Sequence, residues 1–241
     1  FSITGLRSTT KKISQILEVS LDDLLSGKEM EKVVERNPVI EKKSVNNIMT
    51  ALYAFVVISF FITIVDIIIR FPLQSEMIDY NDIQAIVINV LALLIQIVFF
   101  AYGFVNAIRG MLSPKRMGAV IVAFFAATCI TGTGNMVINS NVQIVLWWIV
   151  LIIPNIVGAV ATFAYFVSGK KSKIYSIIIY LAAIWGMFRI IYSNYNLIVH
   201  ANQYLSMNST VRLVLGIAIH CLVIYQTYVL WIKRQNAIDI S

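Results

Sequence analysis

The sequence predicts an all-α, polytopic membrane protein: six transmembrane helices behind a small helical N-terminal segment. Three observations carry that prediction. Six apolar runs, each about 20 residues or longer, are long enough to cross a hydrocarbon core of about 30 Å. The chain is 59% hydrophobic and only 13% charged, where a soluble domain has about 25% charged residues. Finally, lysine and arginine concentrate in alternate connectors, which is how membrane proteins record their orientation.

The polar head, 1–47, comes first. The chain opens on Phe1, and no basic start, apolar run and small-residue cleavage site marks a secretory signal. Ser8, Thr9 and Thr10 offer helix caps, and Ile13, Ile16 and Leu17 recur at helical spacing. Ser20 with Asp23 three residues on begins a second short helix, weaker than the serine–glutamate form of the same device. Leu21, Leu24 and Leu25 give it one apolar face, and Gly27 can end it in a left-handed cap.

The stretch Lys12-Ile13-Ser14-Gln15-Ile16-Leu17-Glu18-Val19-Ser20-Leu21-Asp22-Asp23-Leu24-Leu25-Ser26-Gly27 resembles the last two helices of the Xre-type (Cro/repressor-like) helix-turn-helix family. There, a helix of the type KIAxxL is followed by xVSLDxLLxG. The resemblance covers about 20 residues within 1–27 and implies a DNA-binding head whose last two helices are what the chain contains. The groove-entering second and third helices of such a domain would lie upstream of Phe1. DNA is therefore expected as a partner only if the head is completed there, and no base-reading residue can be carried over. Arg7, Lys11 and Lys12 are candidates for DNA-phosphate contact or for an ordinary solvated helix face.

Residues 28–47 read as a charged linker. Lys28, Glu29, Glu31, Lys32, Glu35 and Arg36 mix signs at three- and four-residue spacing, which suits a solvated helix. Pro38 breaks it, and Lys42 and Lys43 sit where basic residues favour a cytoplasmic lipid surface. Eight of the 19 lysines and arginines and seven of the 12 acidic residues precede Ile48, so the head is nearly neutral. The net charge of +7 arises mainly in the membrane part and reflects topology rather than nucleic-acid affinity.

Spans are expected at 48–69, 85–108, 118–138, 143–167, 174–193 and 212–232, together forming a membrane domain over 48–232 with a tail at 233–241. The 109–117 turn carries Arg109, Lys115 and Arg116, the 168–173 turn Lys170, Lys171 and Lys173, and the tail Lys233 and Arg234. The alternate connectors hold only Arg70, with Arg212 at the last edge. Both termini are accordingly expected in the cytoplasm of a cell membrane. Trp147, Trp148 and Trp231 fall at interfacial depth. Ala119, Ala123, Ala127 and Thr131 in span three, and Gly158 and Thr162 in span four, repeat every four residues. That spacing predicts a tight hairpin of the two spans through Asn139, Ser140 and Asn141.

Ionisable residues within spans are costly and are candidates for function. Asp66 lies late in span one, Arg189 late in span five, and Arg212 opens span six. Asp66 can pair with Arg189 or Arg212 between helices, or with Arg70 on its own helix. His220 predicts a hydrogen-bonded contact between helices, while Cys129 and Cys221 read as buried thiols with no disulfide. Pro154-Asn155 and the polar run Thr131-Gly132-Thr133-Gly134-Asn135 predict a kink beside a small outward-facing cavity. Loop 70–84, with Glu76, Asp79 and Asp82, and loop 194–211, with Tyr195, His200 and Tyr204, suit either an extracellular cationic peptide or plain solvation.

No nucleotide loop, metal motif or nucleophile elbow is present, so neither an enzyme nor a cofactor or metal site is expected. The expectation is a bacterial membrane-bound transcriptional regulator: an Xre-like head on a domain that senses or anchors. The alternative is a membrane transport or self-protection (immunity-like) protein with a vestigial head. Partners beyond the lipid bilayer and DNA would be a second copy of the chain or an extracellular peptide or small-molecule signal.

Overall fold

A computed structural model describes residues 43–70, 80–134, 141–199 and 207–238. Every regular element among them is helical, and six helices are long and apolar enough to cross a membrane. The protein is a multi-pass helical membrane protein. The head, most of the linker, and the Asn139–Ser140 part of the expected hairpin turn lie outside the described residues.

Several helices begin or end outside the expected spans, because helical hydrogen bonding continues past the hydrocarbon edge, while residues 135–138 of the expected third span lie outside the described residues. Span one is Lys43–Arg70 and span two Tyr80–Ile108. Span three is Pro114–Gly134, starting on a proline at its first position, where the missing N–H costs no helical bond. Span five is Lys173–Ser193, followed by a short helix, Tyr195–Val199. Span six, Met207–Ile238, stays helical through most of what the sequence suggested as a tail.

Two basic turns close on glycines in the left-handed region, Gly110 at φ 65° and Gly169 at φ 69°. At the first, Met111 N donates to Asn106 O (2.9 Å) and Gly110 N to Ala107 O (3.0 Å). This is the paired closure that a glycine just past a helix end permits. At the second, Lys170 N reaches Ala164 O (3.0 Å), one residue wider, because span four ends in a π turn at Phe163–Val167.

Span four is the irregular one. It runs Asn141–Trp147, a π turn at Trp148–Ile152, then Ile153–Thr162 before that second π turn. Pro154 explains the first irregularity, since the helical donor to Val150 O would be the N–H that Pro154 lacks. Side chains bond the carbonyls at and beside the break. Trp185 Nε1, from span five, donates to Val150 O at 2.8 Å, and Asn155 Nδ2 donates to Leu151 O at 2.6 Å. The expected kink is thus a π turn held by a neighbouring indole. Trp185→Phe is expected to cost about 1 kcal/mol, and less when Pro154→Ala restores the backbone donor. A double-mutant cycle of unfolding in mixed micelles measures that coupling.

The spans form a closed ring. Each packs on its sequence neighbour, span six returns to span one, and spans three and six also meet across the middle. Across the most apolar 18 residues of each helix, half of span three and 44% of span six are buried, against 22% in spans two, four and five. Spans three and six are therefore the centre, and the others face lipid. Spans three and four do form the expected close pair. Ala123, Ala127, Gly158 and Thr162 are buried, and a side chain at Gly118 would meet Phe166 Cβ at 2.5 Å. An aromatic chain crosses the bundle: Tyr53 to Phe100 (6.0 Å), Phe60 to Phe100 (5.6 Å), and Phe100 edge-on to Phe124 (6.5 Å, 85°).

Candidate functional site

In hydrocarbon, a buried hydroxyl or amide must find an acceptor in protein. Most of those in this bundle find it on their own helix. Ser59, Thr63, Thr162 and Thr227 each donate to the carbonyl four residues back, at 2.7–2.9 Å. Asn106 does the same to Tyr102 O at 2.7 Å.

Among the described residues, one buried amide instead joins spans one and six. Gln226 Nε2 donates a short hydrogen bond to the Tyr53 hydroxyl and lies 3.7 Å from Met49 Sδ. All three side chains are fully buried. Gln226 Oε1 is buried without a hydrogen-bond partner among the described residues. A half-satisfied buried amide costs about 1–3 kcal/mol relative to a fully paired one. Span two admits the tyrosine ring by having glycine at 103, where a Cβ would fall within 2.7 Å of Tyr53 Cζ. Tyr53 stands ten residues into span one, about 15 Å along the axis from Lys43, the end that carries the linker and head.

A second constellation sits where spans three, five and six meet. His220 Nδ1 bonds Gly216 O at 2.7 Å, and its ring meets Phe124 edge-on at 5.1 Å and 86°. Its other edge lies against Gly186 of span five. The expectation of a hydrogen-bonded interhelical histidine is therefore corrected. The contact between helices is packing, and the hydrogen bond is within span six, because the helix's own carbonyl is the nearest acceptor. Arg189 is half-buried on span five, three residues beyond Gly186 and so on the same face.

Asp66 and Arg212 lie on spans one and six, but their side chains fall outside the described residues, as do Arg7, Lys11 and Lys12 and loops 71–79 and 200–206. No pairing of Asp66 with Arg70, Arg189 or Arg212 is therefore assigned. The two cysteines are free thiols, but only Cys129 is partly enclosed. Cys221 is exposed on the outer face of span six, so the expectation that both are buried is corrected. Among the described residues, no group of histidine, cysteine and carboxylate side chains could hold a metal ion.

The bundle also stands apart in comparison. No family model, curated protein or solved structure matches the chain. The Tyr53–Gln226 contact involves no ionisable group of the kind that marks a span residue as costly. A glutamine within an apolar run was the available signal, since an amide in lipid needs a partner as surely as a charge does.

Proposed function

We propose that this chain is a membrane-bound transcriptional regulator: a cytoplasmic Xre-like head carried by span one, on a six-helix domain that anchors it and senses. The observation that carries the reading is the run Val19-Ser20-Leu21-Asp22-Asp23-Leu24-Leu25, on the same side of the membrane as the basic turns. DNA binding requires the head's groove-entering helices, which the resemblance expects ahead of Phe1.

The Tyr53–Gln226 contact supplies a mechanism. Span one bears the head, span six is central, and their shared hydrogen bond leaves Gln226 Oε1 without a donor. In this reading, a signal that gives this oxygen a donor shifts span six, and span one would carry that shift to the base of the head. The signal would be an extracellular peptide, a small molecule or a change in the membrane, and a second copy of the chain would pair the heads. Half-buried Arg189 is what favours the alternative, transport or self-protection.

The test is cross-linking the protein in its native cells and sequencing the DNA recovered with it. Enrichment of discrete loci is expected, and the reporter output from those loci should change in Gln226→Leu. Recovery of no DNA above a mock precipitation would sink the regulator reading.

A further inference from the structure

We propose that an anionic phospholipid of the surrounding bilayer occupies a groove between spans five and six, its phosphate at Lys173 and an acyl chain running along the aromatic wall. The groove has a volume of about 440 Å³ and is lined by Lys173, Ser176, Ile177 and Tyr180 of span five with Tyr228 and Trp231 of span six. It lies within the size range of sites that bind small molecules. Ile177 is 53% and Tyr228 49% exposed, so the groove opens outward, towards lipid, rather than into the bundle. Tyr228 and Trp231 stack at 6.4 Å and 27°, making one continuous flat wall.

Charge selects the occupant. Lys173 is exposed at the first position of span five, behind Ser172, whose hydroxyl accepts from Ile174 N at 3.4 Å. Lys170 and Lys171 occupy the same turn, and Lys170 Nζ stands 5.7 Å from the Tyr175 ring centre. From Ile83 to Ile238 the sequence contains no aspartate or glutamate, while every basic turn of the bundle falls within that stretch. The one carboxylate on spans two to six, Asp82, opens span two at the opposite end of the bundle, so these spans supply none to this end of the groove, and a lipid phosphate is the anion the bilayer itself provides. The lining runs from Lys173 to Tyr180, about 10 Å along the helix, which carries the site from headgroup depth into the acyl region. Aromatic rings with a polar edge suit that boundary. The inference requires only that the chain spans a bilayer, and so it stands apart from the regulator reading.

The experiment uses the whole chain in phosphatidylcholine vesicles containing a fixed fraction of lipid brominated on its acyl chains. The brominated lipid is either phosphatidylglycerol or phosphatidylcholine. Quenching owed to Trp231 is the difference between the native protein and Trp231→Phe. Brominated phosphatidylglycerol is expected to quench Trp231 more strongly than brominated phosphatidylcholine at equal fraction. Lys173→Gln, which leaves the Ser172 cap intact, should reduce that preference about fivefold. Equal quenching by the two lipids overturns the proposal. So does a preference that survives Lys170→Gln, Lys171→Gln and Lys173→Gln combined.

Discussion

Gly103→Leu is expected to destabilise the membrane domain by about 3 kcal/mol and to break the contact between spans one and six. Even the first carbon of a side chain at 103 would press on the Tyr53 ring, lying 2.7 Å from Cζ and 3.0 Å from the hydroxyl oxygen. The ring cannot yield. It is fully buried, bonded to Gln226 and packed on Phe100 at 6.0 Å. The obstacle is a rigid ring in a filled site rather than the loose end of a long chain. Displacing it also strips Gln226 Nε2 of its acceptor, adding a second unpaired group to the amide whose Oε1 already has none. Unfolding in mixed micelles measures the loss, and Tyr53→Ala in the same chain should recover much of it by vacating the space. A Gly103→Leu protein within about 0.5 kcal/mol of the native one would mean that spans one and two do not approach as described.

Which parts of this arrangement the sequence disclosed follows from the physics of each signal. Span number and rough limits were legible because lipid imposes a length on every crossing helix, and an apolar run long enough is hard to hide. Close packing of spans three and four was legible from Ala123, Ala127, Gly158 and Thr162, since small residues four apart lie on one face. Partnerships between remote spans were not. Nothing in the local pattern around Gln226 points to Tyr53, which lies in the first span of a ring that span six closes only in three dimensions. The indole repair of span four was hidden in the same way. Pro154 announces a missing donor, but Trp185 is recognisable as its substitute only once spans four and five are adjacent. Some bounds lie outside the expected ones because composition reports the thickness of the hydrocarbon, whereas a helix ends where a cap or glycine ends it. Span two ends at Ile108 as expected, closed by Gly110, but starts five residues early at Tyr80, and span six runs on to Ile238.

At the centre of the ring the same reasoning separates two glycines that look alike in sequence. Gly186 and Gly216 both lie in the antiparallel seam of spans five and six, the first against His220 and the second against Ile190. A side chain at 216 would meet Ile190 Cδ1 at 2.7 Å, but that atom ends a flexible chain and can turn aside. Gly216→Ala is therefore expected to change stability by less than about 1 kcal/mol. A side chain at 186 would meet the imidazole itself, with Cδ2 at 2.7 Å and Cε1 at 3.1 Å. That ring is pinned on two further sides, by the bond to Gly216 O at 2.7 Å and by the edge-on Phe124 ring at 5.1 Å. Gly186→Leu must then either drive spans five and six apart or force His220 towards span three, with a cost of about 3 kcal/mol. His220→Ala should return most of that loss in the Gly186→Leu chain while lowering the stability of the native one, a reversal of sign that only direct contact produces. Equal and small effects at both glycines would mean that the seam is looser than its contacts imply, and that His220 is not the wedge between spans three, five and six.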